Sequence, residues 1–191
     1  LRERHSGERV MDTGFVLGQI DYADGVIPFE NVHDQPRMKK LVNHTDHVAW
    51  VSRLETLAAN RAALEQLSGV KLEHFRRKDA GLDLYINWES GLEIICPVPE
   101  VNDFNKALHD HLKIHGDSVY AVVFGVRDME KHKTRLEGLG VAVGPMVDDH
   151  PDSPWHHKLI LRERIVGEVM KSQFVLGDID YADGVITLEN V

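Results

Sequence analysis

Only one cysteine, Cys96, stands in 191 residues, so no disulfide can close within the chain. No apolar run is long enough to cross a bilayer, and no stretch has the charged, apolar and small-residue layout of a secretory signal. Cations are also scarce. Lys and Arg number 22 against 31 Asp and Glu, giving a formal charge of −9, and the basic clusters at 76–78 and 39–40 are too short to follow a phosphate backbone. These shortages lead us to expect no nucleic-acid partner and no membrane span. A reducing, cytoplasmic setting and a small-molecule substrate or ligand are the remaining expectation.

Two things are plentiful. Histidine occurs twelve times, which raises the question of a metal. The second is a repeat: "FVLGQIDYADGVIPFENV" at 15–32 returns as "FVLGDIDYADGVITLENV" at 174–191, with 15 of 18 positions identical. The similarity begins earlier, because "LRER" opens both copies at 1–4 and 161–164, and about one residue of gap aligns the rest. Residues 38–160 occur once. The expected organisation is therefore an extension, 1–37, that duplicates the C-terminal tail as the end of a preceding similar unit, followed by a domain over 38–191 with a natural start at Met38. An unsatisfied strand pair invites pairing, so residues 1–37 are expected to add to a sheet edge or to a neighbouring chain, in a homodimer with strand exchange. Pro28, which replaces Thr187 of the second copy, disfavours a central-strand place for the first.

About 150 residues suffice for one hydrophobic core. "HVAWVS" at 47–52 reads as a strand, and Ser52 with Glu55 as a capping box opening a helix that Gly69 ends. "VKLEHFRR" is the next strand, and "GLDLYINW" (81–88) and "GLEIICPV" (91–98) form a hairpin. Residues 41–99 thus make a βαβββ module. A polar connection, 100–118, carries one short helical pattern around Phe104, Leu108 and Leu112. The scheme then restarts over 119–191: strand "VYAVVFGV", N-cap Asp128, a helix ended by Gly138 and Gly140, strand "VAVGPMV", one more strand from "HHKLILRE" or "GEVMKSQFVLG", and "GVITLENV" last.

"DHVAWV", "GLEIICPV", "LHDHLKIHGDSVYAVVFGVRDMEKHKTRLEGLGVAV" and "DIDYADGVITLEN", in this order, resemble the vicinal oxygen chelate superfamily, which groups glyoxalase, bleomycin-resistance and extradiol-dioxygenase proteins. The resemblance covers about residues 41–191. It implies an α+β fold in which two paired βαβββ modules curl a mixed sheet into a cup. It also implies a divalent ion held by one residue from the first and last strand of each module, at the positions of His47, Glu93, Ala121 and Glu189. Ala121 departs from the pattern, which has a histidine there, and Glu189 sits about one residue late. The candidate metal ligands are His47, Glu93 and Glu189, with Glu189 also the candidate proton-transfer residue. One imidazole and two carboxylates suit Mn²⁺, Fe²⁺, Zn²⁺ or Ni²⁺. The function implied is a metal-dependent lyase, isomerase or dioxygenase acting on a vicinal-oxygen substrate. The alternative is a metal-free small-molecule-binding protein of the bleomycin-resistance type, which Ala121 favours.

Strand parity places Trp50 and Phe124 on the face opposite His47 and Ala121, under the helices. His109, His111 and His115 read as a solvated face and His156–His157 as a surface loop. "DIDYADG" is not a calcium loop, since its glycine falls one place late.

Overall fold

The structure, a computed structural model, describes residues 2–19, 30–31, 37–39, 44–126 and 128–182. The chain order is β1 (Arg2–Val10), β2 (Thr13–Gln19), β3 (Glu30–Asn31), β4 (Arg37–Lys39), β5 (His44–Val51), α1 (Leu54–Ser68), β6 (Glu73–Arg77), β7 (Leu82–Asn87), β8 (Leu92–Pro97) and α2 (Lys106–His115). There follow β9 (Ser118–Gly125), α3 (Met129–Gly138), β10 (Val147–Asp148), β11 (Leu159–Ile160), β12 (Arg162–Val169), β13 (Ser172–Gly177) and β14 (Asp180–Ala182). Eight strands share one mixed sheet in the order β10-β12-β13-β9-β5-β8-β7-β6. Both expected modules are present: β5-α1-β6-β7-β8 and β9-α3-β10-β12-β13 each run βαβββ, with α2 in the connection. The α+β class and the glyoxalase-like strand scheme of the sequence reading hold.

Chain contacts divide the molecule into two compact units, residues 1–27 with 49–120 and residues 28–48 with 121–191. In the first, Val51, Leu108 and Leu112 form a buried cluster with Leu82, Ile95 and Tyr120 packed on it. The β7–β8 hairpin has the expected turn, its register running from Leu82 opposite Pro97 to Asn87 opposite Leu92. Ser52 is not the cap of α1. Arg53 holds the N-cap position without a side-chain cap bond, while the Ser52 hydroxyl donates to the Arg53 carbonyl. Asp117, 64 residues on, does the capping work instead. Its carboxylate accepts from the Arg53 N–H at 3.1 Å and from Asn60 Nδ2 at 2.8 Å, and it also accepts from the Thr56 hydroxyl. A carboxylate at the positive end of the helix satisfies donors that the local sequence was expected to serve.

The first copy of the repeat folds in this unit too. β1 and β2 pair antiparallel as a two-stranded sheet, Val10 and Met11 at its tip are buried, and Trp50 Nε1 donates to Thr13 Oγ1 at 3.1 Å. The expected addition of this hairpin to a sheet edge is not what the described residues show.

In the second unit, Val126, Met129, Val166 and Leu176 are buried together beneath Phe124, Leu136 and Phe174, so Phe124 lies under α3 as parity required. Asp128 caps α3, accepting from the Lys131 N–H at 2.9 Å. "VAVGPMV" is corrected: only Val147–Asp148 is strand, because Pro145 has no N–H to give to a ladder. The sequence left open which of two segments follows. Both contribute, "HHKLILRE" to β11 and the start of β12, "GEVMKSQFVLG" to the β12–β13 hairpin, and β13 pairs parallel with β9. The second module therefore takes its fourth sheet strand from Ser172–Gly177. "GVITLENV", 184–191, lies outside the described residues. A separate four-stranded sheet runs β11-β14-β4-β3.

Candidate functional site

His47 sits on β5, only 3% exposed, and its burial has a polar explanation. Nδ1 lies 3.1 Å from Asp46 Oδ1, and Nε2 lies 3.5 Å from Glu163 Oε1 on β12. Asp46 is itself buried and accepts a 2.7 Å hydrogen bond from the Tyr181 hydroxyl on β14. The result is a chain of four side chains, Tyr181, Asp46, His47 and Glu163, drawn from three strands of one compact unit. Burial first, and then the neighbouring Asp46 charge, push the Tyr181 phenol well above its ordinary pKa, so it stays a donor. Each ring nitrogen of His47 therefore faces a carboxylate oxygen, Asp46 on the Nδ1 side and Glu163 on the Nε2 side.

The other expected site residues fare differently. Glu93 is half-buried on β8, opposite Ile86 in the β7 ladder, in the other compact unit. Ala121 is buried on β9, and the β13 residue opposite it is Gln173. Glu189 lies outside the described residues. Gln173 is the second residue of its module's last sheet strand, as Glu93 is of β8, which gives it the place in the strand scheme that the sequence reading assigned to Glu189. Among the described residues, no group of three or more His, Cys, Asp or Glu is placed to hold a metal ion.

The remaining histidines are engaged elsewhere. His109 Nε2 meets the Val98 carbonyl at 2.9 Å, and His111 Nε2 meets Ser118 Oγ at 2.9 Å while its ring touches His115 and Tyr120. His156 Nδ1 is 2.5 Å from Asp149 Oδ2 on a loop. In "DIDYADG" Asp178 and Asp180 pair with Arg162, at 3.2 and 3.0 Å, and Asp180–Ala182 is strand.

No protein-family model and no curated protein matches the chain. Solved structures do. Methylmalonyl-CoA epimerase from Mycobacterium tuberculosis is 16% identical over 72% of this chain and 89% of its own, with a TM-score of 0.52. A Streptomyces coelicolor methylmalonyl-CoA epimerase variant in complex with 2-nitronate-propionyl-CoA is 16% identical over 77% of this chain and 99% of its own, at 0.53. A variant of 4-hydroxymandelate synthase from Streptomyces coelicolor is 16% identical over 75% of this chain and 50% of its own, at 0.55. At such identities the likeness is one of fold. The chain has the vicinal oxygen chelate fold that its motifs resemble.

Proposed function

We propose that this chain is a divalent-metal-dependent enzyme, a lyase, isomerase or dioxygenase, acting on a small molecule with vicinal oxygens. The observation that carries the reading is His47, a buried imidazole with one nitrogen backed by Asp46 and the other turned to Glu163. An imidazole whose far nitrogen is held by a carboxylate is the usual arrangement of a metal-ligating histidine. The donor chemistry fits Mn²⁺, Fe²⁺, Zn²⁺ or Ni²⁺, with His47 Nε2 and Glu163 as ligands in the described residues, and Gln173 and Glu189 as candidates for the rest. A bound ion would act as a Lewis acid on the substrate oxygens.

The chain's own residues have separable tasks in this reading. Asp46 fixes the ring orientation of His47, and the Tyr181 hydroxyl holds Asp46 in place. Glu163, with a side chain 17% exposed, is the carboxylate that can both ligate and take a proton, a role first assigned to Glu189. The epimerase and synthase neighbours are enzymes, which supports the class without naming a substrate. A cytoplasmic homodimer free of nucleic acid is the setting we propose, on the acidic charge and the lone cysteine.

Ala121 supports a second reading, a metal-free small-molecule-binding protein. Elemental mass spectrometry decides between them. About one equivalent of a single transition metal in the purified protein, lost in His47→Ala and Glu163→Ala, is the expected result. No metal in the native protein, and none taken up on dialysis against the four ions, overturns the enzyme reading in favour of binding.

A further inference from the structure

The two copies of the repeat fold into hairpins with the same register. In the first, Glu3, Arg4 and His5 pair with Gly18, Leu17 and Val16. In the second, Glu163, Arg164 and Ile165 pair with Gly177, Leu176 and Val175. Both reverse direction through two residues with positive φ, Met11 and Asp12 in one, Met170 and Lys171 in the other. Such a pair of left-handed residues defines the tight turn whose twist matches a β-ribbon, and non-glycine residues adopt it at a cost. Yet the hairpins occupy different places. β13 lies parallel on β9, whereas the first hairpin is fixed beside Trp50.

Each hairpin carries what the other place demands. On β9 the ladder puts Val175, Leu176 and Gly177 opposite Val123, Phe124 and Gly125, and the first copy has Val16, Leu17 and Gly18 in those positions. The glycine there is a strict requirement, since a Cβ on Gly177 would lie 2.6 Å from Val123 Cγ1. Gly18 meets it. Beside Trp50 the demand is a hydroxyl at the first residue after the turn. Thr13 supplies it, and the second copy has Ser172 at the same register position, opposite Val169 as Thr13 is opposite Val10.

We propose that the two hairpins are interchangeable between copies of this chain: β1–β2 of one molecule replaces β12–β13 on the β9 strand of a second. The displaced hairpin is accepted beside a Trp50. Because two hairpins and two places match, each place trades one ladder for another of the same register, with Glu3 and Arg2 at the positions of Glu163 and Arg162 that pair with β10. In the exchanged form Glu3 of the donor takes the register position of Glu163, opposite a glycine as Glu163 is, so the strand position beside His47 is then filled by the donor molecule. That last consequence rests on the site proposed above. The exchange itself does not.

Disulfide trapping tests it. Neighbouring strands lie about 4.8 Å apart, within reach of a disulfide. Gln173 pairs with Ala121, and Gly14 is its counterpart in the first copy. In a Cys96→Ala background, the full chain bearing Gly14→Cys is co-expressed with the full chain bearing Ala121→Cys, and the product is oxidised and run on a non-reducing gel. The doubly substituted chain Gln173→Cys/Ala121→Cys serves as the reactivity control. A disulfide-linked dimer containing one of each chain, absent when either variant is expressed alone, is the expected result. Monomer only, with the control fully closed, overturns the proposal. So does a doubly substituted Gly14→Cys/Ala121→Cys chain that closes solely within one molecule. Native mass spectrometry of the unsubstituted chain against one beginning at Met38 gives a readout independent of the cysteines: loss of dimer on truncation is expected, and an unchanged dimer fraction contradicts the exchange. A protein that binds no metal but forms the mixed dimer retains this proposal and loses only the enzyme reading.

Discussion

The Tyr181 hydroxyl donates to Asp46 Oδ1 at 2.7 Å, joining two buried residues 135 positions apart. Tyr181→Phe leaves that carboxylate short of a donor, and urea unfolding at neutral pH should show a loss of about 1–3 kcal/mol. The pH dependence has a definite sign. The folded phenol holds its proton above the pH at which the unfolded one releases it, so stability is lost as pH rises past the ordinary tyrosine value near 10. In Tyr181→Phe that alkaline decline should be shallower. An identical decline in both proteins would show that the phenol does not hold its proton beyond the ordinary range.

Cys96 should behave as an inert thiol. It is 1% exposed, and burial, with the charge of Asp83 paired across the hairpin as a second cause, pushes its pKa up to about 11. Thiolate is the reactive form, so a thiol-specific reagent at pH 8 should label none of the native protein and one equivalent after denaturation. Rapid labelling of the native state would refute the assignment.

Removal of the remote cap of α1 should cost more than removal of the local one. Asp117→Ala frees the Arg53 N–H, Asn60 and Thr56 together, and a loss of about 1–3 kcal/mol in urea unfolding is expected. Ser52→Ala removes no backbone cap and should cost less. The reverse ranking would restore the capping box to Ser52.

On the metal reading, Asp46→Asn keeps the shape beside His47 Nδ1 and removes the charge. Its dissociation constant for the resident ion, measured by chelator competition, should rise about 10- to 100-fold while stoichiometry at saturation stays unchanged. Loss of stoichiometry would make Asp46 a ligand, and no change at all would make it purely structural.

The modules were legible because apolar alternation and glycine punctuation are local signals. Asp128 could be read from its own neighbours, as could the β7–β8 turn. What escaped the sequence depends on distance. Asp117 caps a helix 64 residues before it, and no spacing rule reaches that far. Glu163 lies in a segment copied almost letter for letter as residues 1–4, and nothing in the letters says which copy faces His47. Asp46 lies beyond parity reasoning, because adjacent strand residues point to opposite faces, yet its carboxylate reaches the ring of the next residue. The one available hint was an Asp-His pair inside an apolar run, where both charges need partners. The fourth strand of the second module was displaced by the same blindness: the repeat drew attention to its identical end, while the sheet uses the earlier hairpin.

The hairpins differ in length by a single residue, and the structure puts that difference in the bulge, within residues 6–8 of the first copy, because Arg9 is back on the ladder opposite Gly14 as Glu168 is opposite Gln173. The register slips between His5 and Arg9 in one and between Ile165 and Gly167 in the other, while turn and base stay matched. A bulge absorbs an extra residue as local twist. Insertions at this point are therefore silent at both ends of the ribbon, so duplicated segments can drift apart in length and still present the same ladder to whichever strand receives them.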